Sequence, residues 1–278
     1  MDKEVVHVKT AAFVGAGNMG GALIRAACRA IGPEQVVIAD GSQRKAETLA
    51  AELGCAVAQS NEEAVQSARY IFLCVKPQVL GGVVQALNGT LSQCHARGEE
   101  KVLVSIAAGV QIESIQGWLA GLGFPVPVLR VMPNTCAAIG QGMLALTGEG
   151  EEHLSGVERI LSKAGRVERI AEHLMDQFTA VAGCGPAYVY QLIEALADGG
   201  VLVGLPRQQA QVYAAQMVMG AAAMVLESGE HPGALKDAVC SPGGSTIAGV
   251  AALERHGFRS AAIEAVVDAY HKNLELGK

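Results

Sequence analysis

Three hydroxyls and two glycines crowd into one six-residue stretch, Ser241-Pro242-Gly243-Gly244-Ser245-Thr246, between two segments of helical character. Pro242 breaks the first segment, and Gly243 and Gly244 let the backbone bend at little steric cost. The stretch also ends where a helix begins, so Ser245 or Thr246 is expected to cap it. Free N–H groups gathered at the positive end of a helix dipole suit a small anion such as a carboxylate. Taken alone, a tight turn with an ordinary cap explains the stretch at least as well.

A second cluster lies near the start of the chain. FVGAGNMG places Gly15, Gly17 and Gly20 in a GxGxxG pattern directly after a strand-like run and at the opening of a helix-like one. In that setting Gly15 permits the tight turn, Gly17 the close approach of a pyrophosphate, and Gly20 close helix-to-strand packing. Asp40 ends the next strand-like run, where an acidic residue accepts hydrogen bonds from ribose hydroxyls and disfavours a 2′-phosphate. Ser42, Arg44 and Lys45 follow at once and are equally suited to holding that phosphate. The choice between NADH and NADPH therefore stays open. Val75, Lys76 and Pro77 after the run YIFLC, and Ala107 and Ala108 after KVLVSI, sit at strand ends of the kind that bind ligands. Asn134, in VMPNT, lies at a third such end or serves as a turn residue beside Pro133.

The elements that must position these residues follow two patterns. From Thr10 to about Thr147, short β-like runs (AAFVG, QVVIAD, RYIFLCV, KVLVSI, PVLRVM) alternate with helix-like ones, as in βαβ units of a parallel sheet. A last strand is expected over 165–170. Beyond Glu172 the pattern is helical: 186–203, 206–227, a short helix over 235–239, 245–256 and 258–274. The expected architecture is α/β, a Rossmann-type dinucleotide-binding domain over 1–171 followed by an all-α domain over 172–278. The stretch 211–226 is apolar on nearly every face, which a half-chain of about 100 residues cannot bury by itself. A homodimer built by these helices is expected.

Composition narrows the function classes. The chain has 278 residues, half of them hydrophobic, with 34 glycines and a net charge of -6, which argues against a nucleic-acid-binding surface. Its seven cysteines show neither CxxC nor His-flanked spacing, so neither a disulfide framework nor a metal site is expected. No apolar run reaches the ~18 residues of a membrane span, and a cytoplasmic location is expected.

With FVGAGNMG, FLCVKPQ, SIAAGV, RVMPNT, GCGPAYVYQLIEALADGGVLVGLPR and above all LKDAVCSPGGSTIAGVAALE in view, the chain resembles pyrroline-5-carboxylate reductase over nearly its whole length. The resemblance implies reduction of 1-pyrroline-5-carboxylate to L-proline by NADPH or NADH, with a helical domain that builds a dimer, often assembled into a decamer. It implies Asn18, Met19, Asn61, Lys76, Ala107 and Ala108 as cofactor contacts. It places Val239, Ser241, Gly243, Gly244, Ser245 and Thr246 around the substrate, Glu172 near the product, and Thr246 as the catalytic partner at the ring nitrogen. Cys136, Cys240 and Asp40 depart from the family pattern; only Asp40 bears on the cofactor.

Three rival readings remain. An imine reductase shares the architecture. A β-hydroxyacid dehydrogenase would need a lysine acid that GPAYVYQLIEALADGG lacks. A nucleotide sensor without turnover would have no use for the hydroxyl-rich stretch.

Overall fold

The computed structural model describes residues 9–276, which fall into two compact units. The first unit runs up to Gly183 and takes back the chain from Tyr270 onward; the second is Cys184–Ala269. Residues 172–183, a 3-10 turn, a short helix and a π-helical turn, bury Met175, Thr179 and Ala180 and group with the first unit.

The first unit is built as β1 (Lys9–Val14), α1 (Asn18–Ile31), β2 (Val36–Ala39), α2 (Gln43–Leu53), β3 (Ala56–Val57), α3 (Asn61–Ser67), β4 (Ala68–Leu73), α4 (Pro77–Ala86), α5 (Asn88–Ala96), β5 (Val102–Ser105), α6 (Ile112–Leu119), β6 (Val128–Met132), β7 (Gly142–Thr147), α7 (Glu151–Leu161), β8 (Gly165–Arg169) and α8 (Met175–Phe178). The strands form one sheet in the order β3-β2-β1-β4-β5-β6-β7-β8. β1 is buried along Ala11–Val14 because both sheet faces are covered: Ala11 and Phe13 pack into one core, Ala12 and Val14 into the other. Phe13 stacks on Phe72 of β4 at 4.6 Å, bracing the two central strands. Because β2 and β4 flank β1, the chain reverses its direction of progress across the sheet there, and α/β sheets bind ligands beyond the strand ends at such a point.

Two strands differ from expectation. β3 is only two residues long and carries no periodic signal. β7 pairs antiparallel with β6, in register Val131 to Leu146, in a sheet expected to be parallel. The reason is length: the connection from Met132 to Gly142 holds only a 3-10 turn over Thr135–Ile139, whereas a parallel crossover needs about a dozen residues or more. From β7 to β8 a full helix, α7, intervenes and the pairing is parallel again.

The second unit contains α9 (Gly185–Leu202), α10 (Arg207–Ser228), α11 (Pro232–Ala238), α12 (Ser245–Arg255) and the first two-thirds of α13 (Phe258–Leu276). α9 and α10 approach closely at Gly200, where an added Cβ would lie 3.1 Å from the Ala210 Cβ. The Tyr188 hydroxyl donates to the Ala265 carbonyl at 3.3 Å, tying α9 to α13. Only three side chains of this unit are buried among the described residues, Ala197, Ala210 and Ala214. Val212, Tyr213, Met217, Met219, Met224 and Leu226 of α10 are all more than half exposed, so the helix is apolar all round yet uncovered within one chain. No helix of the described residues is long and apolar enough to cross a membrane.

Candidate active site

The nucleotide end of the site begins at the β1–α1 turn. Gly15 sits at φ 106°, and a Cβ there would meet the Cys74 carbonyl oxygen at 2.7 Å. A Cβ on Gly20 would meet the Gly15 carbonyl oxygen at 2.3 Å, so α1 lies against the turn as closely as glycine allows. Gly17 is different: φ is -65° and nothing lies within 4 Å of an added Cβ. Its missing side chain leaves open space in front of the α1 N-terminus, where Asn18 and Met19 are the first helical residues and no side chain caps the free N–H groups. The three glycines therefore differ: close backbone packing demands glycine at positions 15 and 20, whereas Gly17 meets no neighbour.

That difference is testable. Gly15→Ala and Gly20→Ala are expected to destabilise the protein by roughly 1–3 kcal/mol through backbone overlap. Gly17→Ala is expected to leave the thermal midpoint unchanged or slightly higher, yet to weaken reduced-nucleotide binding by about tenfold or more, read by fluorescence titration.

Around this turn the other expected cofactor residues converge on the carboxyl edge of the strands. Asp40 directly follows β2, and Ser42 is the N-cap of α2. Val75, Lys76 and Pro77 follow β4, with Lys76 exposed at the N-cap of α4 and Pro77 at its first position, where its missing N–H costs nothing. Ala107, buried, and Ala108 follow β5, and the Ala107 N–H donates to the Ser105 hydroxyl at 3.3 Å. Asn61 opens α3, whose cap is Ser60 accepting from the Glu63 N–H. A cavity of about 650 Å³ runs along the glycine turn and α2, lined among others by Gly17, Asn18, Ser42, Arg44 and Lys45. Burial beside the turn pushes the Cys74 thiol up, so it is a neutral wall and no nucleophile.

Two features of this unit were not evident from spacing. Glu172 accepts from the Ile112 N–H at 2.8 Å and from the buried Arg130 guanidinium at 2.7 Å, so it is anchored as one half of an ion pair. An arginine inside the apolar run PVLRVM was the available signal, since a buried charge demands a partner. Asn134 is buried and donates to the Ala182 carbonyl at 2.9 Å, and its Oδ1 has no protein partner. It tethers the π-helical turn where the first unit ends.

The hydroxyl-rich stretch lies wholly in the second unit. Val239 is the C-cap of α11, and Ser241 to Gly244 form a turn closed by the Gly244 N–H donating to the Ser241 carbonyl at 3.0 Å. Pro242 and Gly243 fill its corners, and Gly243 at φ 69° supplies the left-handed position a type II turn requires. A Cβ on Gly244 would meet the Ser241 Oγ, so a larger residue there would require the serine hydroxyl to turn away.

The expected hydroxyl cap is absent: Gly244 is the N-cap of α12 and has no side chain to bond the first turn. Consequently the N–H groups of Ser245, Thr246 and Ile247 point out of the helix end uncapped, with the Ser245 and Thr246 hydroxyls beside them. The first turn carries no acidic residue to oppose an anion. His231 accepts from the Gly233 N–H at 3.0 Å and caps α11, a turn role. Among the described residues, no three metal-ligating side chains come together.

An α/β unit with a dinucleotide-type glycine turn, in a chain that also carries a helical unit, has the build of a nicotinamide-dependent oxidoreductase of the Rossmann type. Residues 10–109 match the family model described as NADP oxidoreductase, coenzyme F420-dependent, and residues 172–276 match that for pyrroline-5-carboxylate reductase dimerisation. The pyrroline-5-carboxylate reductase of a Synechocystis strain is 42% identical over 96% of this chain and 97% of its own. That of Escherichia coli K12 is 41% identical over 97% and 99%. A solved Plasmodium falciparum pyrroline carboxylate reductase with NADP bound superposes with a TM-score of 0.84 at 31% identity, covering 97% of this chain and 98% of that one. The chain belongs to the pyrroline-5-carboxylate reductase family.

Proposed function

We propose that the protein reduces 1-pyrroline-5-carboxylate to L-proline, the last step of proline synthesis, with NAD(P)H as hydride donor. The observation that carries this reading is the uncapped start of α12 behind the Pro242–Gly243 turn, in a chain whose other unit holds an open glycine turn for a dinucleotide. The open space at Gly17 and the uncapped first turn of α1 fit a pyrophosphate. When bound, reduced nicotinamide supplies the hydride.

The chain's own residues do the rest. The N–H groups of Ser245, Thr246 and Ile247 receive the substrate carboxylate at the positive end of α12, with Ser241 and Val239 as walls. The imine carbon accepts hydride when its nitrogen is protonated, and Thr246 accepts a hydrogen bond from that N–H, which fixes the ring's orientation. A hydroxyl is a poor free acid, so the proton arrives with the substrate or through water and not from Thr246. Asn18, Met19, Lys76, Ala107 and Ala108 hold the cofactor in this reading, and Glu172, anchored on Arg130, stands on the product side.

The helical unit assembles as a homodimer with interleaved helices. The exposed apolar girth of α10 and the match to a dimerisation model support this, and a decamer is a further assembly of such dimers. Seven free thiols suit a reducing compartment, and the cytoplasm is the proposed location. Oxidation of NADPH or NADH with pyrroline-5-carboxylate as the sole acceptor tests the activity: turnover to proline is expected, and its absence with both nucleotides overturns the reading.

A further inference from the structure

Two of the thiols meet across the first unit. Cys28, in the last turn of α1, and Cys55, just past the end of α2, are hydrogen-bond partners, and Cys55 packs against the core that holds Cys28. Three residues earlier on each side, the Arg25 guanidinium donates to the Glu52 carboxylate, so the two contacts are successive rungs of one seam. Gly54, at φ 76°, ends α2 and lets the chain turn back, and the Cys55 N–H donates to the Ala50 carbonyl at 3.3 Å. A cavity of about 320 Å³, lined by Arg25, Cys28, Arg29 and Glu52 among others, adjoins the pair, and Cys55 is itself half-buried.

The pair is asymmetric. The hydrogen bond from Cys28 and the charge of Lys9 pull the Cys55 thiol below its usual range, whereas the same bond and burial push Cys28 up. Cys55 is therefore the readier thiolate, with a second thiol in reach to resolve it. The seam is also the far wall of the nucleotide groove, because Arg25 and Glu52 line both this cavity and the one of about 650 Å³ that begins at Gly17 and Ser42.

We infer that Cys28 and Cys55 are a redox modification site, oxidised by a peroxide to a reversible disulfide that draws α1 and the end of α2 together and weakens nucleotide binding. The Cys55 thiolate attacks a peroxide oxygen: an S–O bond forms, the O–O bond breaks, and the departing hydroxide takes a proton and leaves as water. The Cys28 sulfur then attacks the Cys55 sulfenic acid, so that the S–S bond forms, the S–O bond breaks and a second water leaves. In all, two thiols lose two electrons and one hydrogen peroxide becomes two waters. A disulfide holds its sulfurs about 2.05 Å apart, closer than any thiol hydrogen bond, so the seam tightens. The effect on affinity rests on the nucleotide reading of the groove; formation of the bond does not.

The test treats the full-length protein with hydrogen peroxide, removes the excess with catalase, blocks free thiols and maps the digest by mass. The peptides bearing Cys28 and Cys55 are expected to be linked, and a dithiol reductant should release them. Fluorescence titration with NADPH, without any imine, should show binding about fivefold or more weaker in the oxidised protein and restored on reduction. Cys55→Ser should bind NADPH as the reduced parent does and lose the response to peroxide.

Peptides still unlinked at millimolar peroxide overturn the inference, and that result needs no variant to fold. So does a linked protein of unchanged affinity, or a response that survives in Cys55→Ser. The linkage is read by mass and the affinity against the reduced protein, so failure here is distinct from failure of the nucleotide reading, which would show in the reduced protein itself.

Discussion

Met219→Glu is expected to dissociate the protein and abolish turnover. Met219 lies midway along α10 and is 60% exposed within one chain, in line with Val212 and Leu226 seven residues to either side. Burying a methionine side chain contributes roughly 1.5–3 kcal/mol, and in a two-fold dimer each substitution counts twice. A carboxylate left unpaired in that interface costs several kcal/mol more per copy. The sum, on the order of 6 kcal/mol or more per dimer, raises the dissociation constant by about 10⁴-fold or more. Sedimentation at micromolar protein should show the monomer mass together with loss of activity. A dimer of unchanged mass would remove α10 from the interface. Met219→Leu, which keeps volume and polarity, serves as the control and should change little.

Thr246→Ala is expected to lower kcat/KM about 10- to 100-fold, the worth of one hydrogen bond to a charged group. Stability should not follow, because Gly244 and not Thr246 caps α12 and no protein group bonds the Thr246 hydroxyl among the described residues. Alanine is also the better helix former, so the thermal midpoint should stay level or rise slightly. Thr246→Ser keeps an oxygen at the same position and should recover most of the lost rate. Turnover within about twofold of the parent in the alanine variant would sink the assignment. A large fall in midpoint would show that the hydroxyl serves the fold.

How legible all this was in the sequence depends on the range of the interaction. β1, β2, β4, β5 and β6 follow directly from apolar runs, because strands buried on both faces need no alternation. β7 is absent from the strands expected from sequence, and nothing in GMLALT states its direction; the shortness of the preceding connection does. The helices of the second unit match expectation to within a few residues, since proline starts and glycine stops are local signals.

Glycine spacing revealed the nucleotide turn, yet it did not separate Gly17 from Gly15 and Gly20, whose constraints come from neighbours such as Cys74. Spacing reads Asp40 as a ribose acceptor, and it does not reveal the bond that carboxylate takes from the Ala16 N–H, 24 residues away. The same distance problem hid the tie from Arg130 to Glu172 across 42 residues. At α12 the competition was local and still undecided by residue type, because serine and glycine are both good caps and only the backbone angles of the Ser241–Gly244 turn choose between them.

The scarcity of buried side chains in Cys184–Ala269 bears on how the protein comes to exist. Three alanines are no core, so this unit's folding free energy is in large part the free energy of meeting another copy. Its melting temperature should climb with the logarithm of protein concentration, while the sheet-bearing unit keeps its order on dilution. A newly made chain must likewise wait for a companion before about a third of it has a shape. Cellular abundance thereby becomes one of the variables that decide whether the enzyme is folded at all.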